Sequence, residues 1–227
     1  MMKKNGKSIC FIGLDGSGKS SSIDAAFDYC KKNGIKVEIV RAAYVIEHSK
    51  WIVAIGKKIT MHKHSDPYKK NDYPFYLSEM RKTNIHSFKY RVFSFITTLE
   101  FKNQIKKRII NKLKNGTNIL IDRYIYDNVV TYAANLGLGE EYIEKTMSKK
   151  WKNAPKPNAI IYIKTKINTC LSRKNDIPDP LYLQIREPLY DLISNKYNAI
   201  VVSGDDSLNL MKQNVISIVK EVFNNGK

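Results

Sequence analysis

The sequence has few cysteines, few acidic residues and no long hydrophobic run, and each shortage excludes a class of protein. Its three cysteines, Cys10, Cys30 and Cys170, are odd in number and far apart, so we expect buried free thiols rather than a disulfide framework or a metal cluster. The apolar runs near the N-terminus and at residues 51–56 are too short for a signal peptide or a membrane span. The sequence therefore predicts a cytoplasmic protein that does not contact membranes.

The shortage of acidic residues leaves the chain strongly basic. It has 39 lysines and arginines against 21 aspartates and glutamates, a formal net charge of +18. Residues 44–118 hold most of this excess. A basic surface attracts nucleic acid or small anions, but these charges are scattered and not interleaved with aromatic residues that would stack on bases. Nucleic acid is thus an alternative partner that the pattern does not favour.

Short apolar runs rich in isoleucine and valine alternate with segments of helical periodicity. This alternation predicts an α/β fold, a doubly wound, five-stranded parallel sheet with helices on both faces in three α/β/α layers. The predicted strands cover residues 7–13, 36–42, 117–122, 159–164 and 199–204. The connection between the second and third strands is too long for a simple crossover, so residues 44–98 are predicted to form an extended helical and loop insertion.

Two further predictions concern helices. An apolar stripe over residues 92–114 is expected to face the core and consists of Val92, Phe95, Leu99, Ile105, Ile109 and Leu113. Ser207 is expected to cap a terminal helix that buries Leu208, Met211, Val215, Ile218, Val219 and Val222.

His62 and His64 lie in the insertion without a third ligand at suitable spacing, so we expect loop histidines rather than a metal site.

Residues 13–20, Gly-Leu-Asp-Gly-Ser-Gly-Lys-Ser, match the phosphate-binding pattern G-x-x-x-x-G-K-[ST] at every fixed position. A predicted strand enters this segment and a predicted helix leaves it. The glycines let successive backbone N–H groups point at one anion, and the helix N-terminus adds partial positive charge. Lys19 is placed to reach the β- and γ-phosphates of ATP, and the Ser20 hydroxyl to bind Mg²⁺. The segment predicts a P-loop NTPase domain.

Asp122 ends the third predicted strand, at the edge where doubly wound sheets bind ligands. We expect its carboxylate to hold Mg²⁺ directly or through water; the alternative is a cap for the next helix. Nucleotide switches, motors and kinases share these features, so the class depends on the residues after Asp122.

The loop at residues 13–21, followed later by Asp122-Arg123-Tyr124, resembles the thymidylate kinase family of nucleoside-monophosphate kinases. Residues 156–174, 186–193 and 200–207 resemble later segments of that family, and the resemblance is poor over 44–98. It implies one P-loop kinase domain over residues 1–227, nucleoside-monophosphate kinase-like in fold, with a short lid at residues 173–181.

The resemblance also implies a role for each matching residue. Donor phosphates would be cradled by Gly13, Asp15, Gly16, Ser17, Gly18, Lys19, Ser20 and Ser21. Asp15 would also lie near the 3′-hydroxyl of the acceptor sugar, and Arg41 would grip the acceptor phosphate. The catalytic set would be Lys19, Arg123, which bridges the acceptor and transferring phosphates, and Arg173, which closes over the donor. Tyr126 and Asp127 point toward the acceptor pocket by position.

The favoured reaction is ATP-dependent phosphorylation of dTMP to dTDP with Mg²⁺. Transfer between two anions needs cations at the transferring group, and arginine supplies two parallel donors. A phosphate acceptor is already a nucleophile, so positioning and electrostatics carry the rate without a general base. The family also tends to pair helices into a homodimer, which the resemblance implies for this chain.

Two departures from the family pattern leave the acceptor's base open. Thr98 and Lys102 stand about where the family has an aromatic residue and an arginine that recognise thymine, and Phe95 or Phe101 replaces the aromatic residue only if the register shifts. The lid has no second arginine, and Lys174 is the nearest substitute.

Other functions remain as alternatives. A deoxynucleoside kinase needs a carboxylate base just after the second strand, where this sequence has Arg41, although Glu38 and Glu47 lie nearby. Another small-molecule kinase is also open. A nucleic-acid-binding P-loop NTPase would use the basic segment as its contact surface. A degenerate kinase that serves as an interaction module is disfavoured, because every fixed loop residue is present.

Overall fold

The computed structural model describes residues 5–46 and 72–224, which are built around a five-stranded parallel sheet. The strands are β1 (Ser8–Ile12), β2 (Val37–Arg41), β3 (Asn118–Asp122), β4 (Ala159–Lys164) and β5 (Ile200–Ser203). They lie in the order β2-β3-β1-β4-β5, and every neighbouring pair is parallel. The predicted fold class is confirmed, and each strand lies within one residue of its predicted bounds.

Helices connect the strands and cover both faces of the sheet. Their bounds are α1 (Lys19–Lys32), α2 (Tyr73–Arg81), α3 (Phe88–Ile105), α4 (Asn111–Lys114), α5 (Ile125–Leu136), α6 (Glu140–Lys149), α7 (Ile167–Arg173), α8 (Pro180–Gln184), α9 (Glu187–Lys196) and α10 (Leu208–Asn224). A π-helical turn, Lys106–Ile110, joins α3 to α4. Within the part of the chain that is described, no helix is long and apolar enough to cross a membrane.

The core has one layer on each face of the sheet, because successive residues of a strand point to opposite sides. Ile9 and Phe11 of β1 pack beneath α1 and α10, whereas Cys10 and Ile12 pack in the larger layer with α5. All three cysteines are buried free thiols, as predicted. Helices cover both faces of the central strands but not of the edge strands. The edge strands expose apolar side chains to solvent, namely Ile39, Ile200 and Val201.

The predicted buried stripe of residues 92–114 is wrong in its first half. Phe95 is 63% exposed, and Val92 and Leu99 are exposed as well, whereas Ile105 and Ile109 are buried. The buried face of α3 instead carries Tyr90, Thr97, Phe101 and Gln104. Polar residues lie on this face because they form hydrogen bonds there. The periodicity of apolar residues therefore predicted the wrong buried face.

Gln104 shows how a polar side chain is satisfied on that face. Its amide exchanges two hydrogen bonds with the backbone of Val45, donating to the carbonyl at 2.5 Å and accepting from the N–H at 3.2 Å. Nearby, the Tyr44 hydroxyl donates to Glu100 at 2.6 Å. These hydrogen bonds hold the segment after β2 against α3. The segment and α3 together form one side of the space above the sheet.

Ser207 caps α10 as predicted, accepting a hydrogen bond from the Leu210 N–H at 3.3 Å. Met211 and Val215 are buried, but Leu208 is 53% exposed, so that member of the predicted buried set is wrong. Met211 contacts α1, and its sulfur accepts from the Ser22 hydroxyl at 3.7 Å.

The insertion at residues 44–98 is described only in part. Residues 72–98 contain α2 and the first turns of α3, whereas 47–71, with His62 and His64, lie outside the described residues. The division of the chain into domain, insertion and lid stays a prediction.

Candidate active site

The loop between β1 and α1 has a backbone that only glycine adopts readily. Gly13, Gly16 and Gly18 have φ angles of 143°, 83° and 98°, a region that L side chains avoid. A Cβ atom on Gly16 would also lie 2.5 Å from the Cys170 carbonyl oxygen. Gly18 directly precedes the first residue of α1, so the helix N-terminus opens into the loop, as in anion-binding loops.

Lys19 is a buried cation held by the loop itself. Its Nζ donates to the carbonyl oxygens of Gly13 at 2.7 Å and Leu14 at 2.6 Å. Burial and the nearby Arg123 lower the pKa of the Lys19 ammonium, whereas Asp15 raises it. The Ser17 hydroxyl is buried and has no hydrogen-bond partner among the described residues. A buried ammonium and an unsatisfied hydroxyl in one glycine-lined loop suit an anionic ligand.

Arg123 joins this loop to the end of β3. It has a φ of 61°, unusual for a residue other than glycine, and its guanidinium forms an ion pair with Asp15. The Tyr182 hydroxyl donates to the other oxygen of Asp15 at 2.9 Å. Burial alone would raise the pKa of the Asp15 carboxyl, but Arg123, the Lys19 and Lys174 ammonium groups and the Tyr182 hydrogen bond together lower it to about 2. Asp15 is therefore an ionised partner of Arg123 at neutral pH.

A cavity of about 780 Å³ opens beside this ion pair. Arg41, the last residue of β2, lies on its wall and pairs in register with Asp122 of β3. Among the described residues, the acidic and basic side chains of the wall are four cations and two carboxylates, namely Arg41, Arg123, Lys174, Arg186, Asp15 and Asp127. This positive excess suits an anionic ligand.

Asp127 and Tyr126 differ in where α5 places them. Asp127 lines the cavity, lies 3.7 Å from Arg123 Nη1, and accepts a hydrogen bond from the Tyr190 hydroxyl at 2.6 Å. Burial raises the pKa of its carboxyl, against the opposing effect of Arg123. Tyr126 is only 3% exposed and packs in the core, 5.4 Å from the Tyr197 ring. The prediction that Tyr126 contacts the acceptor is corrected, because α5 turns its ring away from the cavity.

Arg173 lies at the end of α7 and does not line the cavity. Its Nη1 donates to the Gly204 carbonyl oxygen at 2.9 Å, and Gly204 is packed so closely that a Cβ atom on it would lie 2.5 Å from the Ser17 carbonyl oxygen. Arg173 is thus anchored beside the phosphate loop, and its closing over a donor stays a prediction. Lys174, the next residue, reaches to 4.0 Å from Asp15.

The residues considered as substitutes for base recognition lie elsewhere. Phe95 is exposed, and Phe101 packs edge-on against Trp151 in the core, with ring centres 5.1 Å apart. Thr98 lines a smaller cavity of about 30 Å³, which shares lining residues such as Tyr44 and Thr97 with the larger one. Neither phenylalanine is therefore available to stack on a ligand in the larger cavity.

Sequence reasoning missed a group of residues on the cavity wall that we call the aromatic wall, made of Tyr73, Tyr76, Asn135, Tyr182 and Arg186. The guanidinium of Arg186 lies 3.7 Å from the centre of the Tyr182 ring. Tyr182 and Arg186 are four residues apart in the sequence, and this spacing is the local signal that predicts their contact. The other members come from α2 and α5, and no local spacing relates them.

The sheet order, the glycine loop and the cation-rich cavity define a P-loop fold of the nucleoside-monophosphate kinase type. The chain is 24% identical over 217 residues to a protein named "Probable thymidylate kinase" from Sulfurisphaera tokodaii, a match that covers 93% of this chain and 94% of that relative. It is 28% identical over 167 residues to "Probable thymidylate kinase 2" from Saccharolobus solfataricus, covering 73% and 62% of the two chains. No family model matches the chain. Over most of its length the chain is therefore similar to relatives named as thymidylate kinases, and this similarity supports a nucleotide kinase.

Proposed function

We propose that the protein transfers the γ-phosphoryl group of ATP to the phosphate of a nucleoside monophosphate, with dTMP as the favoured acceptor. The observation that carries this proposal is the ion pair between Asp15 and Arg123. This ion pair joins the phosphate loop to the wall of the cavity. A donor bound in the loop and an acceptor bound in the cavity would therefore meet at Arg123. The names of the two relatives support dTMP as the acceptor.

On the donor side, the phosphate loop would bind the triphosphate of ATP. Lys19 would exchange its carbonyl partners for a β- or γ-phosphate oxygen, and the backbone N–H groups of the loop would bind the remaining oxygens. Arg173 is proposed to close over the donor from its anchor on Gly204, with Lys174 as the second cation of the lid.

Magnesium fits the residues present. The Ser20 hydroxyl, in the first turn of α1, and the Asp122 carboxylate, at the end of β3, are oxygen donors of the kind that Mg²⁺ prefers. Among residues 5–46 and 72–224, no group of three or more acidic, histidine or cysteine side chains forms a metal cluster. Phosphate oxygens of the nucleotide would therefore complete the coordination, and the bound ion would neutralise part of their charge.

On the acceptor side, Arg41 would bind the phosphate that attacks, and Arg123 would bridge it to the transferring group. The Arg123 guanidinium has five N–H donors, so it can keep Asp15 while it binds phosphate oxygens. Asp15 would also accept a hydrogen bond from the sugar of the acceptor. These residues hold two anions in line and stabilise the charge of the transition state, which accounts for most of the rate in phosphoryl transfer.

The deoxynucleoside kinase alternative is weaker, because it needs a carboxylate base near the end of β2. Arg41 lies there, and Glu38 is paired with Lys112. Glu47 lies outside the described residues. Both carboxylates of the cavity wall are engaged, Asp127 by Tyr190 and Arg123 and Asp15 by Arg123 and Tyr182. The proposal therefore keeps a phosphate, which needs no base, as the acceptor. The homodimer that the family resemblance implies stays a prediction.

A coupled ADP-release assay tests the proposal. The panel contains nucleoside monophosphates, nucleosides and sugar phosphates, each supplied with ATP and Mg²⁺. We expect release to be stimulated by dTMP and not by thymidine. ADP release that is indifferent to every acceptor would refute a monophosphate kinase, and stimulation by nucleosides alone would support the deoxynucleoside kinase.

A further inference from the structure

Arg186 is a buried cation on the wall of the acceptor cavity, 4% exposed. Its Nη1 donates to the Tyr73 hydroxyl at 2.6 Å and to the Tyr182 carbonyl at 2.8 Å, and its Nη2 donates to Asn135 Oδ1 at 2.9 Å. Among the described residues no carboxylate pairs with it. Every partner is thus a neutral group, and the positive charge stays uncompensated beside the cavity.

These hydrogen bonds fix the orientation of the Asn135 amide. Arginine has only donors, so the Asn135 atom that faces Nη2 must be the oxygen. The Tyr73 hydroxyl accepts from Arg186 and donates its own proton to the same Asn135 oxygen, at 3.2 Å. A flipped amide would set its NH₂ group against two donors and leave them unpaired. Arg186 and Tyr73 therefore hold Asn135 in one orientation.

In this orientation Asn135 presents its nitrogen to a ligand. Asn135 is half-buried and lines the cavity. Among the described residues its Nδ2 has one long contact, 3.4 Å to the Tyr76 hydroxyl, and an amide nitrogen carries two N–H groups. The aromatic wall thus offers an N–H donor next to a buried positive charge. The partner that suits both is a carbonyl oxygen, whereas an amino group would face a like donor.

We infer that Asn135, oriented by Arg186, determines which base the acceptor carries. The cavity selects a nucleoside monophosphate whose base presents a 4-carbonyl oxygen to Asn135, as thymine and uracil do, over one with a 4-amino group there, as in cytosine. The inference rests on the proposed function and assigns specificity to Asn135 of α5 and to Arg186, which directly precedes α9, instead of Thr98 and Lys102. Asn135 would contact the acceptor, and Arg186 acts through Asn135 as a positioning residue.

Two acceptors that differ at one edge of the base provide the test: dTMP and 5-methyl-dCMP, which has an amino group in place of the 4-carbonyl. The ratio of their kcat/KM values is measured, together with their Kd values by calorimetry. We expect the wild-type protein to favour dTMP by about 10- to 100-fold, because 5-methyl-dCMP leaves a buried donor unpaired.

The Asn135→Asp variant replaces the N–H donor by a carboxylate that pairs with Arg186. We expect the dTMP preference to fall at least about tenfold, with most of the loss on the dTMP side. Arg186→Lys keeps the charge but gives up the planar fork that orients Asn135, so the ratio should fall by a smaller factor while ATP binding is unchanged. Asn209→Asp, at an exposed site in α10, is the matched control and should leave the ratio unchanged.

The outcomes separate this inference from the proposed function. If dTMP is phosphorylated, but the wild type does not discriminate or Asn135→Asp keeps the full preference, the inference is overturned and the proposed function stands. If no nucleoside monophosphate is bound or phosphorylated, both are overturned. If Asn135→Asp does not fold, Arg186→Lys decides alone: a reduced ratio supports the inference and an unchanged ratio overturns it.

Discussion

Asp15 and Arg123 are 108 positions apart in the sequence and form an ion pair at the boundary between the glycine-rich loop and the large cavity. They meet because β1 and β3 are adjacent parallel strands, with Phe11 opposite Asp122, so their loops leave the same edge of the sheet. Arg123 adopts a left-handed backbone conformation there, which costs about 1–2 kcal/mol. The pair therefore couples the two halves of the proposed site.

The ionised carboxylate of Asp15 should stabilise the fold through Arg123, Lys19, Lys174 and the Tyr182 hydroxyl together. The folded-state pKa of Asp15 is about 2, against an ordinary value of 3.8. Its contribution, about 2 kcal/mol, is fully present above about pH 4 and is lost as pH falls through 2. Asp15→Asn should therefore lower the free energy of unfolding by about 2 kcal/mol at pH 7, and the difference from wild type should shrink toward pH 2.

Urea unfolding at pH 7, 4 and 2 measures this difference. The control is Asp24→Asn, on the exposed side of α1, which should change stability by less than about 0.5 kcal/mol. Equal stability of the Asp15→Asn variant and the wild type at pH 7 would show that the interactions of the Asp15 carboxylate contribute nothing.

Arg123 should matter more for turnover than for substrate binding. Because we propose that it bridges two phosphates in the transition state, Arg123→Ala should lower kcat by about 10³, by analogy with arginine fingers. Steady-state kinetics with dTMP and ATP measures this loss, and Arg91→Ala, an exposed arginine of α3, should leave kcat unchanged. A change in KM alone would place Arg123 in ground-state binding and not in catalysis.

Arg41 should act on the acceptor and not on the donor. It lies on the cavity wall at the end of β2, and we propose that it binds the acceptor phosphate. Arg41→Ala should raise KM for dTMP by about tenfold or more and leave KM for ATP nearly unchanged. If instead only KM for ATP rises, the assignment of Arg41 to the acceptor is wrong.

Substitution of Gly204 tests whether close packing against Ser17 and Thr165 supports the phosphate loop. A Cβ atom there would overlap Thr165 Oγ1 and lie 2.5 Å from the Ser17 carbonyl oxygen, and Thr165 Oγ1 donates to that same oxygen at 3.0 Å. Gly204→Ala should therefore destabilise the protein by about 1–3 kcal/mol and raise KM for ATP. Thermal unfolding and kinetics measure both effects.

Gly139 provides the matched control. No atom lies within 4 Å of a Cβ built on it, and its φ is not positive. Gly139→Ala should change stability by less than about 1 kcal/mol, because the reduced freedom of the unfolded chain is opposed by the loss of glycine at the N-cap of α6. A loss at Gly139 as large as the loss at Gly204 would mean that backbone effects, and not contact with Ser17 and Thr165, determine the result.

The strands and the phosphate loop could be predicted from sequence because their signals are local. A buried parallel strand needs a continuous apolar run, and the loop needs glycine at fixed spacing before Lys19. The roles of Asp15, Arg41 and Arg123 were implied by the family resemblance, and the parallel sheet brings these residues to one edge.

The remainder depends on contacts between distant segments. Thr97 and Gln104 lie on the buried face of α3 because their polar groups form hydrogen bonds there. The periodicity of apolar residues does not detect polar side chains that are buried in this way. The aromatic wall combines residues of α2, α5, α8 and the start of α9, and Tyr126 lies in the core through packing with Tyr197. No spacing within a single segment predicts these arrangements.

Transfer of label from γ-³²P-ATP tests the central claim most directly. The protein is incubated with labelled ATP, Mg²⁺ and dTMP, the products are separated by chromatography, and Lys19→Ala serves as the inactive control. We predict that label appears in dTDP with the wild type and is absent from dTDP with the variant. Label that appears only in inorganic phosphate, and never in dTDP, would contradict the account.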